Sequence, residues 1–173
     1  MVNRHAQDLV TRMTERRITL AVAESLTGGN LCGQIVDVPG ASVMFRGGVV
    51  AYATDLKQRL LGVDTKLLAQ GGPVQAKVAL QMAKGVAKLC GADYGLATTG
   101  VAGPGNTEDG AAGLVYLAFT GPGIDCGGVT LKLSLAGSRK EVRAGAVKQS
   151  ITFALKELRT ANMVDLGENW SPY

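Results

Sequence analysis

The stretch Ile18 to Gly29, ITLAVAESLTGG, decides the fold. Its first six residues form a continuous apolar, β-prone run, which predicts a strand buried on both faces. Glu24-Ser25-Leu26-Thr27-Gly28-Gly29 breaks the run, and Leu31, Ile35 and Val36 then return at helical spacing. The segment therefore reads as strand, tight turn, helix, and Val38-Pro39-Gly40 ends the helix. A strand with no solvent face needs cover on both sides, so an α/β architecture follows from this one segment.

Working outward, Ala6, Leu9, Val10 and Met13 predict an amphipathic helix from about residue 3 to 16. Downstream, Phe45 to Thr54 (FRGGVVAYAT) predicts a second strand, with Gly47-Gly48 marking a bulge or a close backbone approach. Asp55 begins the next helix, where the Asp55-x-x-Gln58 spacing allows a capping box. Val78, Met82, Val86 and Leu89 define a longer helix that Gly91 is placed to cap. Tyr94 to Thr98 is a further strand and runs into Thr99-Gly100-Val101-Ala102-Gly103-Pro104-Gly105. Leu114 to Thr120 and Val129 to Leu135 predict two strands joined around Gly121-Pro122-Gly123, and sequential pairing there is antiparallel. Val147, Ile151, Leu155 and Leu158 mark a closing helix. The expected architecture is a three-layer α/β/α sandwich with a mixed, mostly parallel sheet. A single domain over 1–160 is expected, with a tail over 161–173.

Composition narrows the function classes. With 173 residues, 46% of them hydrophobic, the chain can bury a core without staples. The net charge of +4 is spread among acids, except over Arg139 to Arg159, where Arg139, Lys140, Arg143, Lys148, Lys156 and Arg159 outnumber Glu141 and Glu157. That cluster reads as the solvated face of a terminal helix. Aromatics are only 5%, too few for stacking platforms, so nucleic acid is not the expected partner. Cys32, Cys90 and Cys126 stand at wide spacing without a CxxC and read as reduced core residues, with no metal site. Without a hydrophobic leader core or a run long enough to span a bilayer, a soluble cytoplasmic protein is expected, and no membrane partner.

Two buried strands each run into a loop rich in Gly, Ser and Thr, and open α/β sheets bind ligands at strand C-termini. The two loops can line one pocket, or they can be plain connections. Glycine amides and a following helix N-terminus suit a phosphate or carboxylate, although neither loop matches the P-loop or dinucleotide fingerprint. Ser25, with the amides of Thr27, Gly28 and Gly29 nearby, suits a nucleophile beside an oxyanion site; the same position also suits an N-cap. The only histidine, His5, falls on the first helix. A nucleophilic Ser25 thus needs a lysine, tyrosine or carboxylate base, and Lys57 and Tyr52 are the candidates. A partly desolvated lysine at a helix start should have a depressed pKa; the alternative for Lys57 is an ordinary solvated side chain.

Ala23-Glu24-Ser25-Leu26-Thr27-Gly28-Gly29, Val38-Pro39-Gly40-Ala41-Ser42, Phe45-Arg46-Gly47-Gly48-Val49-Val50-Ala51-Tyr52 and Thr98-Thr99-Gly100-Val101-Ala102-Gly103-Pro104 together resemble the CinA C-terminal domain family over about residues 5 to 160. The resemblance implies a stand-alone domain, without the N-terminal molybdopterin-binding-like domain of longer relatives. It implies a nicotinamide-nucleotide amidohydrolase of pyridine-nucleotide salvage, which converts nicotinamide mononucleotide to nicotinic acid mononucleotide and ammonia. Carried over, Ser25 is the nucleophile, Lys57 its base and Tyr52 an assistant. Substrate contacts are expected from Thr27, Gly28, Gly29, Arg46, Gly47, Gly48, Thr99, Gly100, Gly103 and Arg139. The small nucleotide substrate needs no metal and no cofactor, and a homo-oligomer, foremost a dimer, is implied. The sequence departs from the family pattern at Thr54 (for Asn), Gln75 (for Ser), Asn106 (for Gly) and Ser138 (for Asp), and Thr107 to Gly113 lacks a Lys-Pro pair. These departures keep a second reading open, a non-catalytic nucleotide-binding or competence- and DNA-damage-associated domain.

Overall fold

Alternation of large and small side chains along the buried strands sets how each sheet face is covered. The computed structural model describes residues 3–161. In the first strand, β1 (Leu20–Glu24), every residue is buried. Leu20 and Val22 join the core under one helical layer, whereas Ala21 and Ala23 face the other. The bulky face packs against α1 (Arg4–Glu15), α2 (Asn30–Val36) and α6 (Arg139–Thr160). The alanine face packs against α3 (Thr54–Leu61) and α5 (Ala76–Cys90), with α4 (Thr65–Gly71) between them in sequence. Small residues here let α5 sit close to the sheet: a Cβ at Gly95 would run into the backbone of Ala83.

The remaining strands are β2 (Phe45–Val50), β3 (Tyr94–Gly100), β4 (Leu114–Thr120) and β5 (Val129–Ser134), in the spatial order β2-β1-β3-β4-β5. β1 pairs parallel with β2 and β3, while β4 pairs antiparallel with β3 and β5. The α/β/α sandwich is thus as expected and the sheet is mixed. Only β4 runs against the other strands, yet half of the pairings are antiparallel, because β4 sits between β3 and β5 and pairs with both.

Several local expectations are corrected. β2 stops at Val50, four residues early, as the chain turns into α3. No capping box forms at Asp55: α3 starts at Thr54 behind Ala53, and the Asp55 carboxylate instead reaches Arg59 at 3.5 Å. A capping box does form at Ser138, whose side chain and that of Glu141 bond reciprocally at the start of α6. Gly91 caps α5 in the left-handed conformation as its position predicted, but Leu89 is exposed rather than core. Helix α4, with no buried residue, carries no hydrophobic period from which to read it. All three thiols are free; Cys126 is exposed and so is not a core residue, whereas Cys32 and Cys90 are half-buried and pack against the two core clusters. The expected tail lies outside the described residues beyond Ala161. No described helix is long and apolar enough to cross a membrane.

Candidate active site

The C-terminal ends of β1 and β3 lie side by side, and the segments that follow them converge. Thr27 and Thr98 are fully buried, with their hydroxyls 3.2 Å apart. Thr99, also buried, donates through Oγ1 to the Pro73 carbonyl at 2.9 Å, which fixes the turn ahead of α5.

Between these elements sits Lys57, one of the largest fully buried side chains among the described residues and 1% exposed. It lies in the first turn of α3, and the β2–α3 connection folds back over it. Its Nζ donates to the Ala51 carbonyl at 2.7 Å, to the Ser25 Oγ at 3.1 Å and to the Tyr52 carbonyl at 3.4 Å. Burial lowers its pKa to about 8, against a smaller upward pull from the Asp109 carboxylate. Lys57 is therefore not the solvated lysine that its spacing also allowed.

Ser25 is 8% exposed. It is not an N-cap: α2 begins at Asn30 behind Gly29, whose φ of 93° requires glycine. Two of the three amides expected to greet a substrate anion are engaged within the protein. The Gly28 amide donates to the Ser25 carbonyl at 3.1 Å, and the Gly29 amide to Glu24 Oε2 at 3.0 Å. Gly28 and Gly29 thus serve turn geometry first. Among the described residues, the Leu26 and Thr27 amides meet no protein acceptor.

A guanidinium closes the other side. Arg139, exposed at the start of α6, donates to the Gly103 carbonyl at 2.8 Å and to the Tyr52 hydroxyl at 2.9 Å. Tyr52 is 58% exposed, and its hydroxyl pairs with Arg139 rather than with Ser25 or Lys57. One turn along α6, Arg143 bonds the carbonyls of Leu26 and Thr27 at 3.0 and 2.9 Å, pinning the loop after Ser25. Of the basic cluster, Arg143 alone leaves the solvated face; Arg139, Lys140, Lys148, Lys156 and Arg159 remain exposed.

Three expected contacts, Arg46, Gly47 and Gly48, fall elsewhere. Arg46 begins β2 at the opposite end of the parallel strands and donates to the Cys90 carbonyl at 3.2 Å. Gly47 and Gly48 lie within β2, opposite Ala21 and Val22. A Cβ at Gly48 would overlap the Cys32 Sγ, so that glycine lets helix α2 pack against the sheet. Gly100 is compelled by the same kind of approach, to the Leu114 carbonyl across the β3–β4 pair. Sequence reasoning missed Asp109, Arg143 and Glu24. Arg143 was in view only as part of a charge cluster, and nothing in local spacing signals that the other two face the site.

Three of the four residues at which the sequence departs from the family pattern have local partners. Gln75 Nε2 donates to the carbonyls of Leu67 and Gly72, at 3.1 and 2.7 Å, and holds the turn that Thr99 also fixes. Asn106 Oδ1 accepts from the Ala112 amide at 3.0 Å, and Ser138 caps α6 beside Arg139.

The site thus places a buried lysine on a serine hydroxyl at the carboxyl edge of a mixed α/β sheet. The model of the CinA C-terminal domain matches residues 2–160, and the chain belongs to that family. It is 48% identical over 146 residues to a CinA-like protein of Frankia casuarinae, a match covering 84% of this chain and 33% of that protein. A CinA-like protein of Geobacter sulfurreducens is 43% identical over 85% of the chain and 35% of its own length. The chain thus spans about a third of the length of these curated relatives. Among solved structures, a competence-damaged protein (CinA) superfamily protein from Escherichia coli superposes with a TM-score of 0.84 at 30% identity, covering 91% of this chain and 90% of that one. A competence/damage inducible protein from Agrobacterium tumefaciens gives 0.81 at 28% identity, over 91% and 98%.

Proposed function

We propose that this domain is a nicotinamide-nucleotide amidohydrolase in which Ser25 is the nucleophile and Lys57 the general base. The observation that carries the reading is the buried Lys57 Nζ held 3.1 Å from Ser25 Oγ with its pKa lowered to about 8. At pH 7 a group with that pKa is neutral about a tenth of the time, some 300-fold more than an ordinary lysine. A solvent-exposed lysine would be an ineffective base, and a structural one would not need a serine hydroxyl among its partners.

In this reading, neutral Lys57 takes the Ser25 proton as Oγ bonds to the carboxamide carbon. The Leu26 and Thr27 amides are the donors left for the oxyanion. Lys57 returns the proton to the departing nitrogen, ammonia leaves, and an ester on Ser25 remains. Water, deprotonated by Lys57, attacks the ester; the acid departs and the Ser25 hydroxyl is restored. Arg139 is the phosphate contact. Its two bonds to Gly103 and Tyr52 aim the guanidinium and leave further N–H donors for an anion. Tyr52 acts through Arg139, and Thr99 through the Pro73 turn.

The experiment is ammonia release from nicotinamide mononucleotide by the purified protein in the presence of a chelator, beside Ser25→Ala. Release by the wild type alone supports the amidase. Nucleotide binding without release by either protein would make this a non-catalytic nucleotide-binding domain.

A further inference from the structure

We infer that Glu24 is the positioning residue of the nucleophile loop, an internal anion that occupies the amide cradle after β1 and holds Ser25 against Lys57. The inference rests on the amidase reading for its kinetic consequence and on geometry alone for its structural one.

Glu24 is fully buried at the end of β1 and plays no part in the chemistry proposed above. A buried carboxylate is costly unless its oxygens are bonded, and here both are. Oε2 accepts from the amides of Gly29 and Leu31 at 3.0 and 3.1 Å, and Oε1 from that of Cys32 at 2.8 Å. These amides belong to the start of α2, which the Gly29 N-cap leaves without a side-chain cap of its own. One side chain therefore spans from the last residue of β1 to the first turn of α2. The intervening residues, Ser25 to Gly28, form a closed loop with fixed ends.

The Glu24 backbone completes the bracket. Its carbonyl accepts from the Ala51 amide at 2.9 Å, and the Ala51 carbonyl in turn accepts from Lys57 Nζ at 2.7 Å. Nucleophile and base are thus referred to the same residue, one by the chain and the other by two hydrogen bonds. The Cys32 thiol lies against the carboxylate and, with burial, is held well above the ordinary thiol range, so Cys32 is a support and not a second nucleophile.

There is a consequence for substrate placement. With a carboxylate already in the cradle, a substrate phosphate gains nothing from the Gly29, Leu31 and Cys32 amides and meets a like charge there. Anionic substrate groups are directed to the Arg139 side of the site.

The test is Glu24→Gln, which keeps shape but replaces one acceptor oxygen by an NH2 group facing amide donors. The expected result is a fall in kcat of about 10- to 100-fold, the scale of a small misplacement of reacting groups, with KM for nicotinamide mononucleotide changed by less than about twofold. Amide hydrogen exchange at Gly29, Leu31 and Cys32 should quicken at least about tenfold while α5 and β3 keep their protection. Unchanged kcat together with unchanged exchange would overturn the inference, as would a rise in KM with kcat intact. If the wild type releases no ammonia, the amidase reading fails by itself. The exchange arm then decides: faster exchange confined to the β1–α2 junction upholds the bracket, and unaltered exchange refutes it. Should Glu24→Gln not fold, Glu24→Asp, which keeps the charge but shortens the reach, carries the same two readouts.

Discussion

Gly28-Gly29 and Gly47-Gly48 are the same dipeptide in adjoining elements of one parallel pair, yet one lies in the site and the other in the packing. The difference is position along the strand. Gly28-Gly29 follows the carboxyl end of β1, where the chain must turn sharply, and both glycines have positive φ (58° and 93°). Gly47-Gly48 sits inside β2, where a Cβ on Gly48 would overlap the Cys32 Sγ. The arginines divide in the same way. Arg46 lies at the amino end of β2 and bonds a helix C-terminus, whereas Arg139 lies at the carboxyl edge and reaches Tyr52 and Gly103. A glycine pair or an arginine in a motif therefore acquires meaning only with its end of the sheet.

The comparison can be broken most forcefully at the carboxyl edge. Ser25→Ala and Lys57→Ala should each lower ammonia release by about 10³-fold or more, and the double variant should be hardly worse than either, since the two act as one unit. Comparable losses from a change at the other end, such as Arg46→Ala, would dissolve the distinction. Steady-state kinetics sharpens it with the arginine pair. Arg139→Ala should raise KM for the nucleotide about 10- to 100-fold through loss of a charge-assisted contact. Arg46→Ala should leave both kcat and KM within about twofold.

At the packing end, Gly48→Ala should destabilise the fold by about 1–3 kcal/mol in denaturant unfolding, because the added methyl meets Cys32. Activity per folded molecule should persist, and Cys32→Ala in the same chain should recover part of the loss. The smallest expected effect is electrostatic. The Asp109 carboxylate raises the Lys57 pKa, so Asp109→Asn should move the rising limb of kcat/KM to lower pH. A move to higher pH would show that Asp109 acts on Lys57 in some other way.

How far the sequence spoke for itself follows from the same physics. Periodicity found all five strands and the long helices, since a run such as Ile18–Ala23 can only be buried, and it placed the turn carrying Ser25. Helix α4 escaped because it buries no residue fully, only Leu67 and Leu68 packing partly against the core, and the capping box was assigned to Asp55 when Ser138 holds it, because spacing does not say which side chain folds back. In the candidate site, Ser25 and Lys57 were proposed from their chemistry, and Arg139 only from the family resemblance. Burial of Lys57, which gives it a lowered pKa, was not legible, because residues 51 and 52 must fold over it first. Glu24 is the clearest case of illegibility. An acidic residue at the end of a strand looks solvated, and only the fold shows that three amides of α2 converge on it.

The central claim is that Lys57 is held buried on Ser25 with a proton it can give up near neutral pH. Titration of the lysine side-chain amines by heteronuclear NMR, with Lys57→Met to assign the signal, tests it directly. The account predicts one amine titrating near pH 8, absent in Lys57→Met, while the exposed lysines titrate in their ordinary range. An amine at Lys57 that titrates with the exposed lysines would contradict it.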